Sequence, residues 1–429
     1  MTKPYTKTTL GNGAMLIQVP MHETKAATLL VFYPVGSRYE SDELAGGSHF
    51  IEHLMFKGTT RRPDTTHISR ELDSVGAEYN AFTSKDHTGY YIKVSSEHVP
   101  LACDMLSDML GHSLFEQKEV DRERGVIIEE IHMYEDNPMM HLDDVFEEVL
   151  FPGSTLGRNI AGSEGTMSAM PRDQVMAYRD RFYRPSLMTV ILAGKLPKDV
   201  VALVEKTFGA MQDPKTPPAP TFETLAVSAE RYAKPDLKLK KKDTEQVNLA
   251  LGFPSYAHGD KRLPALTLLS TILGGNMSSR LFIQVRERRG LCYHVRAGAS
   301  PYQDVGAFMI SSGLVKNRVE EAIGVILDEV RKLRDGGVTP EELRSAKEYV
   351  RGKLVLSLEE TSEVADWYGR QYLFKKEMDT PEEKMTKFDA VTREDVQAVA
   401  KDLFRNERLR MAMIGPFDDA EPFRKLLVL

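Results

Sequence analysis

The sequence predicts an α+β protein of two similar domains, each a mostly antiparallel sheet with helices packed on it. Apolar strand-like runs alternate with amphipathic helical segments throughout. The order of these elements is repeated at an offset of about 220 residues, the mark of an internal duplication. A Pro-rich stretch separates the two copies. We therefore expect domains at residues 1–212 and 237–429, joined by a linker at 213–236.

Composition sets the class of protein. The chain has 429 residues, is 41% hydrophobic and carries a net charge of −7, which argues against nucleic acid as a partner. Cys103 and Cys292 are far apart and form no disulfide framework, as in a reducing compartment. There is no secretory h-region after Met1 and no apolar run near the ~20 residues that cross a bilayer. We expect a soluble, cytoplasmic protein with no membrane partner.

The elements of the first copy can be assigned in order. Residues 8–20 read as a hairpin around a Gly-Asn-Gly turn, and residues 26–33 as a strand covered on at least one face. A Pro-free segment at 46–58 lies between glycines and predicts a helix. The remaining elements are a helix at 66–75, strands at 78–84 and 87–94, helices at 99–111 and 117–135, a strand at 188–193 and a helix at 198–211.

The second copy repeats this order. Residues 247–254 parallel residues 27–34, and a strand at 306–312 with a helix at 318–334 parallels the strand at 89–94 with its following helix. The counterpart of His49–His53 falls at about Leu269–Leu273, which contains no histidine. The pattern predicts that one copy carries metal chemistry and the other does not.

The helix at 46–58 holds that candidate site. His49 and His53 are four residues apart, so both imidazoles leave the same face of the helix and can share one tetrahedral cation. Zn²⁺ is the usual occupant of such a site. Glu52 adjoins His53 and can reach a water in an open coordination position. The alternative is an amphipathic core helix that happens to contain two histidines, so the assignment depends on a third ligand.

The helix at 117–135 offers that ligand. With Val126 at 0° and ~100° per residue, the buried stripe runs from Val126 to Ile131. Glu130 falls near ~40° and Glu123 near ~60°, inside the stripe, while Glu129 falls near ~300°, on its flank. Two carboxylates in an apolar stripe are costly without a cation or donors. We expect Glu130 to ligate the metal and Glu123 to orient the site, the alternative being acids paired with arginines.

These motifs resemble a known family. His49–His53 has the inverted His-x-x-Glu-His order of the inverzincins, and Glu123–Glu130 is similar to the third-ligand segment of the pitrilysin and mitochondrial-processing-peptidase family. The resemblance spans nearly the whole chain. It includes Gly275–Phe282 and Arg286–Tyr293, which look like the catalytic processing subunit, and the glycine-rich loop of the non-catalytic subunit is absent.

The resemblance implies a role for each motif residue. His49, His53 and Glu130 would ligate one Zn²⁺ per chain, Glu52 would act as general base, and Glu123 would support the site. The function so implied is a zinc metalloendopeptidase that hydrolyses oligopeptides or unfolded segments. The family also contains inactive subunits, so a non-catalytic subunit of a processing-peptidase-like heterodimer is the alternative.

The resemblance also implies how substrate is held. The strand Asn80, Ala81, Phe82 and Thr83 resembles the family's edge strand, which pairs with an extended peptide. Arg286 and Tyr293 match the pair that holds the peptide and its oxyanion. In the family this pair comes from the half of a clamshell opposite the zinc, and this chain has the length of one half. We therefore expect a homodimer, with a heterodimer of related subunits as the alternative.

The resemblance also bears on substrate preference. Met140 stands where processing peptidases have an acidic subsite residue. This position favours general peptide degradation over cleavage directed by arginine.

Overall fold

The computed structural model describes residues 3–215 and 222–429. Two sheets, each with helices packed against it, confirm the predicted α+β class. The described strands are β1 (Thr6–Thr9), β2 (Met15–Pro20), β3 (Ala26–Tyr33), β4 (Glu78–Thr83), β5 (Thr88–Ser95), β6 (Thr189–Gly194), β7 (Asp236–Lys241), β8 (Gln246–Ser255), β9 (Cys292–Pro301), β10 (Gly306–Val315) and β11 (Arg410–Gly415).

Helices account for most of the remaining described chain. They are α1 (Gly47–Leu54), α2 (Thr65–Asp73), α3 (Val99–His112), α4 (Gln117–Asp136), α5 (Pro138–Leu150), α6 (Glu164–Ala169), α7 (Arg172–Phe182), α8 (Val200–Val204), α9 (Leu263–Ser270), α10 (Val319–Gly336), α11 (Pro340–Ser357), α12 (Thr361–Lys375), α13 (Pro381–Asp389), α14 (Arg393–Leu403) and α15 (Glu421–Arg424). Turns of π-helix occur at Glu205–Gly209, Thr271–Gly275 and Phe282–Glu287. Within the described ranges, no helix is both long enough and apolar enough to span a membrane.

The first sheet has the strand order β1-β2-β6-β3-β5-β4. Its neighbours are antiparallel except β2 and β6, which are parallel. The predicted strand at residues 26–33 is β3, the central strand, and it is buried along nearly its whole length. At the opposite end from β1, β4 forms an edge of the sheet.

The second sheet repeats this topology in the order β7-β11-β8-β10-β9. Here too one pair, β7 and β11, is parallel and the others are antiparallel. Thus β8 stands in the place of β3, β10 in that of β5, and β9 in that of β4. The predicted internal repeat is confirmed at the level of strand order and direction.

The two compact units are discontinuous in sequence. The first takes the described residues of Met1–Ile131, Asn159–Phe222 and Val355–Thr380, and the second takes His132–Arg158, Glu223–Leu354 and Pro381–Leu429. The predicted contiguous domains at 1–212 and 237–429 do not coincide with these units. Of the predicted linker at 213–236, residues 216–221 lie outside the described residues, and 223–236 belong to the second unit.

The difference arises because each unit includes a helix from the other half of the sequence. Helix α12 packs on β3 and β6 of the first sheet, whereas α5 packs on β8 and β11 of the second. These helices occupy equivalent places in the repeat, each following the long helix α4 or α11. Amphipathic periodicity shows that such a helix covers a sheet, but it does not show which sheet.

Reciprocal large and small residues fit these helices to their sheets. In the first unit, a Cβ added to Gly369 of α12 would lie 2.6 Å from the ring of Phe32 on β3. In the second, a Cβ on Gly252 of β8 would lie 2.6 Å from the ring of Phe146 on α5. Phe32 and Gly252 are equivalent in the repeat, as are Phe146 and Gly369. The large residue is on the strand in one unit and on the helix in the other.

Candidate metal centre

The site is built on α1, whose start is fixed by the backbone and by a buried acid. Gly46 precedes the helix with a φ of 98°, a conformation that favours glycine, and a Cβ there would lie 2.5 Å from the carbonyl oxygen of Ala161. The buried carboxylate of Glu40 accepts hydrogen bonds from the amides of Gly46 (2.7 Å) and Ser48 (2.6 Å). An acid at the N-terminus of a helix pairs its free amides and complements its dipole.

Three side chains from α1 and α4 converge on one point. The Nε2 atoms of His49 and His53 are 3.2 Å apart. One carboxylate oxygen of Glu130 lies 3.8 Å from the former and 3.5 Å from the latter. Among the described residues, this is the group of His, Cys, Asp and Glu whose ligand atoms are arranged to hold a metal ion.

The donor set fits zinc. Zn–N and Zn–O bonds of about 2.0–2.1 Å in a tetrahedron place ligand atoms about 3.3 Å apart, close to the three observed separations. Burial, and after it the neighbouring His53, lowers the pKa of His49 to about 3, so that imidazole is neutral as a ligand must be. Two imidazoles and one carboxylate leave the fourth position of a catalytic site open.

Glu123 determines which nitrogen of His53 faces the metal site. Its Oε1 lies 2.8 Å from Nδ1 of His53, and its Oε2 lies 2.6 Å from Nζ of Lys57. Burial raises the pKa of Glu123, but hydrogen bonds from His53 and Lys57 outweigh it and hold the pKa below its ordinary value. The ionised carboxylate accepts a hydrogen bond from Nδ1–H of His53, so the Nε2 lone pair points toward Glu130 and His49.

Glu52 lies beside the ligands and is held by the edge strand. The hydroxyl of Thr83, the last residue of β4, donates a 2.6 Å hydrogen bond to its Oε2. Burial is the largest influence on the pKa of Glu52 and raises it, and the charge of Glu130 raises it further. The hydrogen bond from Thr83 and the charge of His53 lower the pKa, but the net effect is a rise. A carboxylate with a raised pKa next to a metal site suits proton transfer near neutral pH.

The buried stripe of α4 differs from the predicted one. Val126 is 48% exposed, whereas Val120, Glu123, Ile127 and Ile131 are buried. The buried stripe therefore excludes Val126, which was predicted to form one edge of it, and includes Ile127 and Ile131 as predicted. Glu123 is inside it, at 3% exposure, but Glu130 lies at its edge, with 26% of its side chain exposed.

Glu130 and Glu129 differ in their position relative to the two histidines. Glu130 is part of the metal-ligand group, while Glu129 is exposed.

The predicted substrate strand is the outer strand of the first sheet. Asn80 is exposed, Ala81 is buried, and Phe82 and Thr83 are half-buried. Phe82 packs edge-to-face on Phe32 in the cluster beneath α12, whereas Thr83 reaches the site. The structure brings only Thr83 of these four into side-chain contact with a predicted catalytic residue, and peptide binding by the strand stays a prediction.

Arg286 and Tyr293 lie together in the second unit. The guanidinium carbon of Arg286 is 5.1 Å from the centre of the Tyr293 ring and 4.7 Å from that of Phe282. Tyr293 is 74% exposed, so its hydroxyl is available to a ligand. The predicted pair therefore forms a contiguous group on that unit.

Sequence reasoning missed three supports of the site. Lys57 follows His53 by four residues, and this spacing was a usable signal. Glu40 precedes the helix by seven residues, too far for a helix-capping pattern. The hydrogen bond from Thr83 to Glu52 joins a strand to a helix, and no local pattern predicts it.

Comparisons with known proteins give consistent results. Residues 17–164 match the family model described as Insulinase (Peptidase family M16), and residues 169–350 match the model described as Peptidase M16 inactive domain. The first match includes both histidines, Glu52 and Glu130. The second runs from the end of α6 into α11 and contains none of the candidate ligands.

Relatives and a solved structure extend over nearly the full chain. An uncharacterized zinc protease of Streptomyces coelicolor is 36% identical over 97% of this chain and 91% of its own length. The uncharacterized zinc protease YmxG of Bacillus subtilis is 35% identical over 97% of this chain and 98% of its own. The crystal structure of a protease from Helicobacter pylori has a TM-score of 0.89 at 23% identity, covering 96% of this chain and 99% of that one.

Proposed function

Because the chain belongs to peptidase family M16, as a member of the short two-domain type, we propose that it is a zinc-dependent endopeptidase acting on oligopeptides or unfolded segments. The observation that carries the proposal is the convergence of His49, His53 and Glu130 beside the carboxylate of Glu52. Thr83, rather than one of these three residues, holds that carboxylate by a hydrogen bond. The relatives described above as uncharacterized zinc proteases agree with this chemistry.

His49, His53 and Glu130 would hold the zinc ion. When bound, zinc polarises the scissile carbonyl and lowers the pKa of water toward about 7. Glu52 accepts a proton from the attacking water as its oxygen bonds to the carbonyl carbon. Glu52 then gives that proton to the amide nitrogen as the C–N bond breaks, so the base returns to its starting state. The hydrogen bond from Thr83 keeps this carboxylate oriented during both transfers.

The substrate would bind as an added strand. β4 is the last strand of its sheet, and its outer edge is suited to pairing with an extended peptide backbone. Thr83 at its end contacts the base, so a peptide paired along β4 would extend toward Glu52. Backbone pairing selects extended chain rather than a particular side chain, which suits general peptide degradation.

The complete active site would require a second chain. Arg286 and Tyr293 form one exposed group on the second unit and suit binding of a peptide carbonyl and its developing negative charge. In the proposed homodimer, this pair from one protomer completes the zinc site of the other. A heterodimer with a related subunit is the other arrangement to be tested.

A peptide cleavage assay tests the activity. The purified chain should cleave a quenched fluorescent peptide, lose activity with a chelator and regain it with zinc. Glu52→Gln should keep bound zinc and lose turnover by several orders of magnitude, because the proton acceptor is removed while the ligands stay. Wild-type cleavage rates in the zinc-loaded Glu52→Gln variant would contradict the mechanism. No cleavage by the zinc-loaded wild type would favour the non-catalytic subunit.

Mixing inactive variants tests the shared site. Glu52→Gln and Arg286→Ala chains should complement when mixed, because one site of each mixed dimer has an intact base and the partner's intact arginine. Random exchange at equal amounts makes half of the dimers mixed, so activity should approach about a quarter of wild type. Mixed dimers verified by native mass spectrometry that show no gain in activity would contradict this geometry.

A further inference from the structure

The buried carboxylate of Glu123 has one partner for each oxygen, and both partners come from the segment that carries the zinc motif. Nδ1 of His53 lies 2.8 Å from Oε1, and Nζ of Lys57 lies 2.6 Å from Oε2. We propose that Lys57 is a positioning residue of the metal site, holding Glu123 so that it accepts a hydrogen bond from Nδ1–H of His53. This inference rests on the proposed zinc site but not on peptide hydrolysis.

The physical need for Lys57 comes from burial. Glu123 is 3% exposed, so water cannot satisfy an oxygen that loses its partner. The ammonium of Lys57 supplies a charge-assisted hydrogen bond, which is short and strong. With both oxygens engaged, the carboxylate has one orientation, and that orientation aims Oε1 at His53. Without Lys57, the carboxylate gains rotational freedom and the tautomer of His53 is less strictly fixed.

A simpler electrostatic effect would act in the opposite direction. A lysine ammonium near a cation site repels the cation, so removal of a lysine that acts only by charge should tighten zinc binding. Removal of a positioning residue should weaken it, since outer partners of metal ligands typically contribute about 10–100-fold to affinity. The sign of the change distinguishes the two effects.

The test measures zinc affinity at equilibrium by competition with a chromophoric chelator. Lys57→Met should weaken affinity by about tenfold and Glu123→Gln by about 10–100-fold. The double variant should bind no more weakly than Glu123→Gln alone, because Lys57 acts through that carboxylate. Lys118→Met is the control: Lys118 is an exposed lysine paired with Glu116 in the same unit, and its loss should leave the affinity unchanged.

A second readout follows the histidine itself. In the metal-free protein, ¹⁵N chemical shifts of His53 should report a proton on Nδ1 in the wild type and a mixture of tautomers in Lys57→Met. If Lys57→Met does not fold, Lys57→Gln is measured instead, since its side chain keeps a hydrogen-bond donor that is uncharged. Its loss of affinity should be smaller than that expected for Lys57→Met.

Three results would overturn the inference. Unchanged or tighter zinc binding in Lys57→Met would show that the lysine positions nothing. Additive losses in the double variant would show that Lys57 acts by a route other than Glu123. A folded wild type that binds no zinc would overturn both this inference and the proposed function. Zinc binding without peptide cleavage would overturn the proposed function alone.

Discussion

The two units share one sheet topology but differ in the residues at the site. In the first unit, α1 carries His49 and His53 in contact with acids of α4. In the second, Leu263–Gly275, which spans α9 and its π-helical turn, contains no histidine or acid. Aligning α4 with α11 by their buried residues places buried Ala346 opposite Glu123, and Lys353 opposite Glu130.

The comparison indicates that the candidate metal site differs from its counterpart by a few side chains. Its buried acid, however, costs free energy unless hydrogen-bond partners are supplied. Buried Ala346 needs no partner, while buried Glu123 needs two. The edge strands differ as well: the hairpin pair Thr83–Thr88 corresponds to Pro301–Gly306, and proline has no hydroxyl that could donate to a carboxylate as Thr83 does to Glu52. The second copy has the same fold, with other residues at the positions of His49, His53, Glu123 and Glu130.

The exchanged helices give a second contrast between the units. Phe32 faces Gly369 in the first unit, and Gly252 faces Phe146 in the second. If α5 covered the first sheet instead, two phenylalanines would meet. If α12 covered the second, two glycines would leave a void. Close packing therefore favours the observed exchange over the alternative in which each helix covers the sheet of its own half.

The largest expected effect comes from removing one of the two phenylalanine rings that pack against a glycine. Phe146→Ala should lower the free energy of unfolding by about 3–5 kcal/mol, because the side chain is fully buried and leaves a cavity. Phe32→Ala, the equivalent large residue of the other unit, should cost a similar amount. Denaturant unfolding of both variants checks this. A loss below 1 kcal/mol in either would show that its unit does not depend on the large–small pairing.

The next effect concerns Glu130, the proposed third ligand, whose counterpart in the second unit is Lys353. Glu130→Gln should weaken zinc binding by about 100-fold or more, since a ligand contributes at least as much as the outer partners of a site. Glu129→Gln removes the same charge from the exposed neighbouring residue and should bind zinc as the wild type does. Competition titrations of both variants compare them directly. Equal losses would mean that net charge, rather than ligation, determines affinity.

A smaller effect is expected from filling the space above Phe32. Gly369→Ala should destabilise the protein by about 1–3 kcal/mol, because the new Cβ meets Phe32 and Ile191. Phe32→Leu in the same chain should recover part of that loss by making room. Gly125→Ala is the control, since Gly125 lies in α4 of the same unit with nothing within 4 Å of an added Cβ. That change should stabilise slightly through helix propensity.

The smallest effect is expected at the hydrogen bond from β4 to Glu52, the proposed general base. Thr83→Val removes the hydroxyl that donates to Glu52 and should lower kcat by about tenfold, with a smaller change in KM and unchanged zinc affinity. Thr83→Ser keeps the hydroxyl and should retain most of kcat. A rise in KM alone would show that Thr83 serves substrate binding only. Equal activity in the two variants would show that the hydrogen bond is dispensable.

Most of the fold could be predicted because its signals are local. The apolar run of β3 and the turn of the first hairpin lie in short stretches of sequence, and the repeat of strand order follows from comparing such stretches between the two halves. The exchange of α5 and α12 could not be predicted, because both helices have an apolar face and either sheet could accept it. The choice depends on pairs such as Phe32 and Gly369, which are hundreds of residues apart.

The candidate site also has residues that local sequence predicts and residues that it does not. His49 and His53 follow from helical spacing, and Glu130 was chosen because it falls within the predicted stripe from Val126 to Ile131. The Val126 side of that stripe is exposed, and Glu130 lies near this edge beside the two histidines. The hydroxyl of Thr83 and the carboxylate of Glu40 act across elements, so they became visible only in three dimensions.

The most direct test of the central claim is a zinc titration of the metal-free protein with peptide cleavage measured in the same samples. Cleavage should rise in proportion to added zinc and reach its plateau at one zinc per chain, because the group of described residues that could hold a metal ion lies in the first unit. A plateau at two zinc ions per chain, or cleavage that is independent of zinc, would contradict that claim.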